Sequence, residues 1–191
     1  MTSLPDNTAL IIIDVEQGFD DPVWGHRNNP QAEENIATLL HTWRQTKRPI
    51  FHIQHLSLEP NSPLRADAPG SAFKEMVQPQ ADEPIIQKHV NSAFIGTHLE
   101  EILRRNDIKT LVITGLTTDH CVSTTTRMAG NLGFDTYVVS DATATFDRVG
   151  YDGAQYDAED IHRLALVSLH QEFAIVTDMQ SLLKQIQRKS S

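Results

Sequence analysis

The sequence contains one cysteine, Cys121, and only 9 prolines and 9 glycines among its 191 residues. One cysteine cannot form a disulfide within the chain, which excludes a disulfide-stabilised scaffold, so Cys121 is either a packed apolar side chain or a reactive thiol. The low glycine and proline content, with 39% hydrophobic residues, excludes a collagen-like or disordered chain. We expect residues 1–191 to form a single domain.

Long apolar runs and net positive charge are also absent. The longest strongly apolar run, residues 9–13, is far shorter than the roughly 20 residues of a membrane span. The N-terminal residues lack the basic start and apolar stretch of a secretory signal, which predicts a cytoplasmic protein. A net charge of −9 disfavours binding to nucleic acid or to an anionic membrane, and a small-molecule partner is expected instead.

Short β-branched runs alternate with amphipathic segments along the whole chain, which is typical of an α/β fold. Right-handed crossovers favour a doubly wound, three-layer α/β/α sandwich of the Rossmann-like type, whose six-stranded parallel sheet has the order 3-2-1-4-5-6. The predicted strands cover residues 8–14, 49–55, 84–88, 110–115, 136–140 and 173–177.

Five helices are predicted around these strands. The first begins with Asn29 as N-cap and Pro30 at the first helical position. The second begins with a capping box formed by Thr97 and Glu100. The remaining helices are predicted at residues 119–132, 157–169 and 179–187.

Two segments carry further expectations. The helix at 157–169 is predicted to turn Leu164 and Leu169 toward the core. The segment 56–81 is too long for a simple connection, and we expect it to be a lid or binding loop with one short helix near 71–77.

Three reactive side chains lie where strands end. Asp14 follows the first strand, Lys88 ends the third, and Cys121 comes a short turn after the fourth. Doubly wound sheets bind ligands beyond the carboxyl ends of their strands, near the point where the strand order reverses. Because strands one and four are neighbours in the expected order, Asp14 and Cys121 would face each other there.

These three residues could form a base, a cation and a nucleophile. The start of a helix and a nearby Lys88 would lower the pKa of Cys121, while desolvation would raise the pKa of Asp14 toward that of a useful base. Each residue also has a structural interpretation: Cys121 as core filling, Asp14 as a turn cap and Lys88 as a surface cation.

Sequence motifs at these positions support a catalytic interpretation. The chain resembles the isochorismatase-like cysteine hydrolases from residue 8 to about 178. The resemblance is carried by residues 14–19 (DVEQGF), 88–94 (KHVNSAF), 114–122 (TGLTTDHCV), 123–134 and 139–142.

The resemblance implies a function and a set of site residues. Asp14, Lys88 and Cys121 correspond to the family's catalytic triad. A non-proline cis peptide would join Leu116 to Thr117, and the backbone N–H groups of Thr117 and Cys121 would form an oxyanion hole. The implied reaction is hydrolysis of a C–N bond in a small amide, carbamoyl or ureido compound through a thioester, without a cofactor.

The resemblance also bears on the substrate pocket and on metal binding. Phe19, Trp24 and Phe94 are expected to line the pocket. Nicotinamidases of this family bind a metal through an Asp-x-His pair after the second strand, where this chain has His52 and His55 and no aspartate. Two histidines three apart on a strand point to opposite faces, so no metal site is predicted.

Four further residues have expected structural roles. Asp119 and His120 are interpreted as positioning or capping residues, with His120 pointing away from Cys121 because adjacent helical side chains diverge. His162 and His170 lie on one helix face and could sit at a subunit contact, since members of the family commonly form homodimers or homotetramers.

Three alternatives remain open from the sequence. Isochorismatases that hydrolyse a vinyl ether generally lack the cysteine, so Cys121 argues against that reaction without excluding it. A redox or scavenging protein would use Cys121 without turnover, but the chain has no second cysteine to resolve a sulfenic acid. A noncatalytic partner domain is disfavoured because all three triad positions are filled.

Overall fold

The computed structural model describes residues 3–187 and contains eight strands. In chain order these are β1 (Ala9–Ile13), β2 (Ile50–His55), β3 (Ile85–Lys88), β4 (Thr110–Leu116), β5 (Asp135–Ala144), β6 (Arg148–Val149), β7 (Gln155–Tyr156) and β8 (Ile175–Thr177). Six of them form one sheet in the order β3-β2-β1-β4-β5-β8, and every neighbouring pair in it is parallel. The predicted order is confirmed, since β8 is the sixth strand of this sheet along the chain. The antiparallel hairpin β6–β7 was not predicted.

Five α-helices cover the two faces of the sheet. They are α1 (Ala32–Thr46), α2 (Leu99–Arg105), α3 (Ser123–Asn131), α4 (Ala158–Leu169) and α5 (Met179–Gln187). Helices α1 and α5 pack into the apolar cluster on one face, and α2, α3 and α4 pack into the cluster on the other. Within the described residues, no helix is long and apolar enough to cross a membrane.

Strand β1 lies at the centre of the sheet and is buried on both sides. Leu10 and Ile12 belong to the cluster under α1, whereas Ile11 and Ile13 belong to the opposite cluster. Alternating side chains of a strand point to opposite faces, so a central parallel strand must be apolar throughout. The apolar run ends at Asp14, which follows β1 and is also fully buried.

Two predicted helix starts are wrong in detail. Helix α1 begins at Ala32, and Asn29 is not its N-cap; Asn29 instead donates from Nδ2 to the carbonyls of Ser140 and Thr143 at the end of β5. Helix α2 begins at Leu99 with His98 as N-cap, so Thr97 forms no capping box. Thr97 Oγ1 accepts from the Leu99 N–H at 3.3 Å, as a cap would, but Glu100 pairs with Arg104 and does not complete the box.

Helix α4 is rotated relative to its predicted orientation. Leu164 is 63% exposed, while His162, Leu166 and Leu169 are buried. A polar contact accompanies this orientation, because His162 Nδ1 is hydrogen-bonded to Thr118 Oγ1 at 2.8 Å. The hydrogen bond allows the histidine ring to be buried with a polar partner. The predicted burial of Leu169 is confirmed, and that of Leu164 is wrong.

Two other segments differ from their predicted form. Residues 56–81 contain two single 3-10 turns, Pro69–Ser71 and Glu75–Val77, in place of one short helix. The helix predicted at 119–132 begins as a π-helical turn, Thr118–Val122, which continues into α3. Such turns shift the positions of the side chains that they carry, and they are frequent at functional sites.

Gly115 allows β4 to approach β1 closely at Ile13, the residue before Asp14. Its φ is +114°, and a Cβ atom on it would lie 1.9 Å from the carbonyl oxygen of Ile13. No other residue type could occupy this position without moving one of the two strands. The β4–β5 register also shifts between Ile113 and Gly115.

Candidate active site

Asp14 and Lys88 form a buried ion pair at the carboxyl end of the sheet. Asp14 follows β1 and Lys88 ends β3, and β2 lies between these two strands. Lys88 Nζ donates to Asp14 Oδ2 at 2.6 Å, and both side chains are fully buried. Among residues 3–187, Asp14 Oδ1 has no hydrogen-bond partner, which leaves one carboxylate oxygen available to a reacting group.

Cys121 lies beside this pair in the π-helical turn. Lys88 Nζ is 3.3 Å from Cys121 Sγ, and the thiol is also 3.7 Å from Asn91 Oδ1. The residue is 8% exposed, and its sulfur lies within 4.8 Å of a carboxylate oxygen of Asp14. The fold thus brings the three predicted triad residues together from strands β1 and β3 and from the turn after β4.

The electrostatics of the site differ from one expectation. Burial raises the pKa of Asp14 despite the opposing charge of Lys88, as expected. Burial and the negative charge of Asp14 also raise the pKa of the Cys121 thiol well above its usual range, although Lys88 opposes them. The expectation of a lowered cysteine pKa is therefore wrong. Cys121 is thus a thiol beside a carboxylate of increased basicity.

His55 is a third partner of Lys88. Its Nδ1 lies 2.9 Å from Lys88 Nζ, and burial and the lysine charge lower the pKa of His55 to about 4. Lys88 can only donate, so Nδ1 is the acceptor and the ring is neutral. Asp14, His55 and Cys121 thus take the three N–H groups of one ammonium.

The same three acceptors resemble a metal-binding set, because their ligand atoms lie within 4.8 Å of one another. Lys88 Nζ, however, contacts all three and takes the place that a metal cation would need. A metal there would have to displace a buried ammonium from its carboxylate. These residues therefore do not fit a metal site. His52, on the same strand as His55, is hydrogen-bonded to Glu83 Oε2 at 2.8 Å.

Glu16 is a buried acid that the sequence interpretation missed. Its Oε1 accepts a hydrogen bond from the backbone N–H of His55 at 2.7 Å. Burial and the charge of Asp14 raise the pKa of Glu16 to about 9. The residue is therefore protonated at neutral pH, and it fixes the end of β2 without adding a second negative charge beside Asp14.

A cavity of about 100 Å³ opens onto Cys121. Phe19 and Trp24 lie on its wall, as expected, with ring centroids 5.2 Å apart. The wall is formed by Asp14, Phe19, Trp24, His55, Leu64, Asn91, Thr117, His120, Cys121 and Arg148. Sites for drug-sized ligands measure roughly 300–1,000 Å³, so this cavity suits a much smaller molecule.

Phe94 does not lie on this wall, contrary to the expectation. Its ring stacks on Phe134 with centroids 6.0 Å apart, in the apolar cluster under α2 and α3. The motif places Phe94 close to Lys88 in sequence, but the intervening turn directs its ring toward the core.

Leu116 ends β4, and Thr117 follows it directly before the π-helical turn that contains Cys121. The peptide bond between them is cis, as the resemblance implied. The Thr117 carbonyl accepts hydrogen bonds from the N–H groups of His120 and Val122, which fixes the start of the π-helical turn. Thr117 and Cys121 both line the cavity, where the two expected oxyanion donors are needed.

His120 and Arg148 are polar residues of the cavity wall, and Asp119 contacts Arg148. Asp119 accepts from Thr145 Oγ1 at 2.5 Å and from Arg148 Nε at 3.2 Å. Burial would raise the pKa of Asp119, but these contacts outweigh it and lower that pKa. His120 lies on the same cavity wall as Cys121, and its Nε2 is 3.4 Å from Asp119 Oδ2. That its side chain points away from Cys121 stays a prediction.

A larger groove, of about 580 Å³, lies along α4 and the ends of β5 and β8. His162 and His170 line it, and none of the three triad residues does. A further groove of about 680 Å³, on whose wall Arg44, Arg48 and Glu83 lie, is larger still. Volume therefore does not identify the site, because Asp14 and Cys121 lie at the smaller cavity. A subunit contact at His162 and His170 stays a prediction.

Comparisons with known proteins agree with one another. The isochorismatase domain matches residues 8–181. The isochorismatase family protein YrdC of Bacillus subtilis is 52% identical over 180 residues, covering 94% of this chain and 96% of its own. Nicotinamidase 3 of Arabidopsis thaliana is 27% identical, covering 93% and 88%. A crystal structure of an isochorismatase-family protein from Chromobacterium violaceum has a TM-score of 0.94 at 42% identity, covering 97% of this chain and 96% of that one.

Proposed function

Because this chain belongs to the isochorismatase family of hydrolases, we propose that it is a single-domain cysteine amidohydrolase acting on a small amide, carbamoyl or ureido compound. The observation that carries the proposal is the contact of one buried ammonium, Lys88, with both Asp14 and Cys121 at the base of a cavity. A nucleophile, a base and a charge-stabilising group within hydrogen-bond reach are what acyl transfer requires.

Acylation begins with transfer of the thiol proton from Cys121 to Asp14. The sulfur attacks the carbonyl carbon, a C–S bond forms, and negative charge develops on the carbonyl oxygen. The N–H groups of Thr117 and Cys121 stabilise that oxygen, and each such donor typically contributes a factor of about 100 to 1,000 in rate. Asp14 then protonates the leaving nitrogen, the C–N bond breaks and ammonia or an amine departs, leaving a thioester.

Deacylation uses the same groups in the reverse sense. Asp14 takes a proton from a water molecule as the water oxygen attacks the thioester carbon, and the C–S bond breaks. The proton held by Asp14 returns to the departing sulfur, which restores the thiol and releases the acid. Lys88 keeps its contacts with Asp14 and Cys121, so positive charge is at hand whenever either group is anionic.

Two observations support this function over the alternatives. The small cavity volume favours a compact substrate such as a primary amide. The burial and raised pKa of Cys121 argue against an oxidant-scavenging role, which requires an exposed thiolate. We also propose that the protein forms a homodimer or homotetramer. The exposed apolar side chains of Leu164 and Val167 on α4 support this proposal, and light scattering on the purified protein tests it.

The test uses the wild type and the variant Cys121→Ala with small primary amides, ureido acids and isochorismate, following ammonia, pyruvate and intact mass. The proposal requires ammonia release that Cys121→Ala abolishes, together with an acyl adduct on the wild-type chain. Pyruvate release that survives the substitution would establish vinyl-ether hydrolysis instead. Oxidative mass shifts without turnover of any compound would support the scavenging alternative. Circular dichroism of the variant confirms that it folds.

A further inference from the structure

Arg148 is the cavity-wall cation that the proposed chemistry does not use. It begins β6 and shares the cavity wall with Cys121. Its Nε donates to Asp119 Oδ2 at 3.2 Å, but Nη2 is buried and has no hydrogen-bond partner among residues 3–187. A buried guanidinium N–H without an acceptor is unfavourable, and its presence beside a reactive cysteine calls for a ligand that supplies one.

The position of Arg148 is fixed relative to the nucleophile. Asp119, its ion-pair partner, belongs to the same π-helical turn as Cys121, and Thr145 Oγ1 holds the other Asp119 oxygen at 2.5 Å. The guanidinium is thus held at Nε by a residue two positions before Cys121. A group bound by the guanidinium in this cavity would therefore lie near the carbon that Cys121 attacks.

The remaining charges of the cavity are already balanced. Lys88 pairs with Asp14, His55 is neutral, and the high pKa of Glu16 keeps it protonated. The rest of the wall combines the apolar residues Phe19, Trp24 and Leu64 with the polar residues Asn91, Thr117 and His120. Arg148 carries a permanent positive charge and, although its Nε pairs with Asp119, still has an N–H group without an acceptor among residues 3–187, so it is the wall residue that best suits an anionic substituent of the substrate.

We infer that the substrate carries a carboxylate a few bonds from its scissile amide, and that Arg148 binds this carboxylate through Nη2. Guanidinium N–H groups match the geometry of a carboxylate and form stronger hydrogen bonds with it than with an uncharged oxygen. The cavity of about 100 Å³ limits the spacer between the two groups to a short one. This inference rests on the proposed amidohydrolase function and specifies its substrate as a short amic acid.

The test compares amic acids with their diamides, which have the same shape and lack the charge. Malonamate, succinamate and maleamate are each assayed beside the corresponding diamide, and kcat/KM is measured for every pair. We expect the wild type to favour the amic acid of the best pair by at least tenfold. Arg148→Gln should reduce that ratio at least tenfold, and Arg148→Lys should reduce it less.

The ratio of kcat/KM between amic acid and diamide distinguishes a loss of carboxylate recognition from a general loss of active-site structure. If Arg148 only supports Asp119 and the turn, its loss lowers the two rates of a pair equally and leaves the ratio unchanged, which overturns the inference. Arg163→Gln is the matched control, because Arg163 is an exposed arginine of α4 that pairs with Asp160 at 2.7 Å and loses the same charge. It should keep the wild-type ratio.

Binding distinguishes failure of this inference from failure of the proposed function. If no pair is hydrolysed, calorimetry with Cys121→Ala measures the Kd of succinamate and of succinamide without turnover. Tighter binding of succinamate, lost in the Cys121→Ala, Arg148→Gln double variant, supports carboxylate recognition even where the proposed hydrolysis fails. Equal binding of the two compounds, or binding of neither, contradicts it. Hydrolysis of both compounds at similar kcat/KM leaves the amidohydrolase proposal intact and overturns the role of Arg148.

Discussion

The Lys88 ammonium and the His55 imidazole lie 2.9 Å apart although both side chains are basic. They are paired residues of the neighbouring strands β3 and β2. The contact is favourable only while His55 accepts through an unprotonated Nδ1, which agrees with its pKa of about 4. A pKa of about 4 makes the His55 imidazole a weak base, whereas burial raises the pKa of Asp14, so Asp14 is the better candidate for the base in this cluster.

This arrangement predicts the pH dependence of catalysis. A general base must be deprotonated, so kcat/KM falls as the pH drops through the pKa of Asp14, which burial raises above the usual value of about 4. Asp14→Asn should lower kcat/KM by about 10² to 10⁴. His55→Gln keeps an acceptor for Lys88 and should leave the midpoint of the acidic limb unchanged. A midpoint that moves with His55→Gln would identify the histidine as the titrating group.

Removing Lys88 should destabilise the fold because it leaves the Asp14 carboxylate buried without its cation. Breaking a buried ion pair from one side costs about 3–5 kcal/mol, so we expect Lys88→Met to lower the free energy of unfolding by that amount. Asp14→Asn in the same chain removes the unpaired charge, and the double variant should be more stable than Lys88→Met alone. Urea denaturation of the four proteins measures the coupling, and additive effects would show that the pair contributes no interaction.

The positions of the triad were predictable because they depend on local signals. Short runs that are apolar at nearly every position identify parallel strands that are buried on both faces. The ends of these strands then place Asp14, Lys88 and Cys121 at one edge of the sheet. The strand order followed from the handedness of the crossovers. Little tertiary detail is needed for either inference.

The misinterpreted residues depend on long-range packing or on one extra residue in a turn. Phe94 is oriented by its contact with Phe134, 40 positions later. Glu16 appears as an ordinary polar residue until β2 supplies the N–H that it accepts. Thr118–Val122 is a π-helical turn where an α-helix was expected, because the hydrophobic pattern of the sequence is the same for both.

Glu16 gives the stability of the protein a distinctive pH dependence. Below its ordinary pKa of 4.5, Glu16 is protonated in both the folded and the unfolded chain. Between 4.5 and about 9 the unfolded chain loses this proton while the folded protein keeps it, so stability falls as the pH rises, by at most about 1.4 kcal/mol per pH unit.

The substitution Glu16→Gln tests this dependence, because the amide keeps a carbonyl oxygen for the His55 N–H and cannot ionise. We expect its unfolding free energy to exceed that of the wild type by a margin that grows between pH 5 and pH 8, as measured with urea at each pH. Glu34→Gln makes the same change at an exposed site of α1 and should follow the wild type. A margin that does not change with pH would mean that Glu16 is ionised in the folded protein.

The close approach of β4 to β1 predicts that Gly115 is essential for the geometry of the site. Alanine there would combine an unfavourable φ of +114° with a Cβ atom 1.9 Å from the Ile13 carbonyl, one residue before Asp14. Strain and overpacking each cost about 1–3 kcal/mol, so Gly115→Ala should lower the free energy of unfolding by about 3 kcal/mol or more and reduce turnover.

Gly133 provides the matched control for that substitution. Its φ is +84°, but no atom lies within 4 Å of an added Cβ, so Gly133→Ala carries the backbone strain without the collision. We expect it to cost about 1 kcal/mol and to leave turnover close to wild type, since it lies in the turn after α3 and away from the cavity. Equal losses in the two variants would show that backbone conformation alone determines the cost, and that β4 can move away from Ile13 without disturbing Asp14.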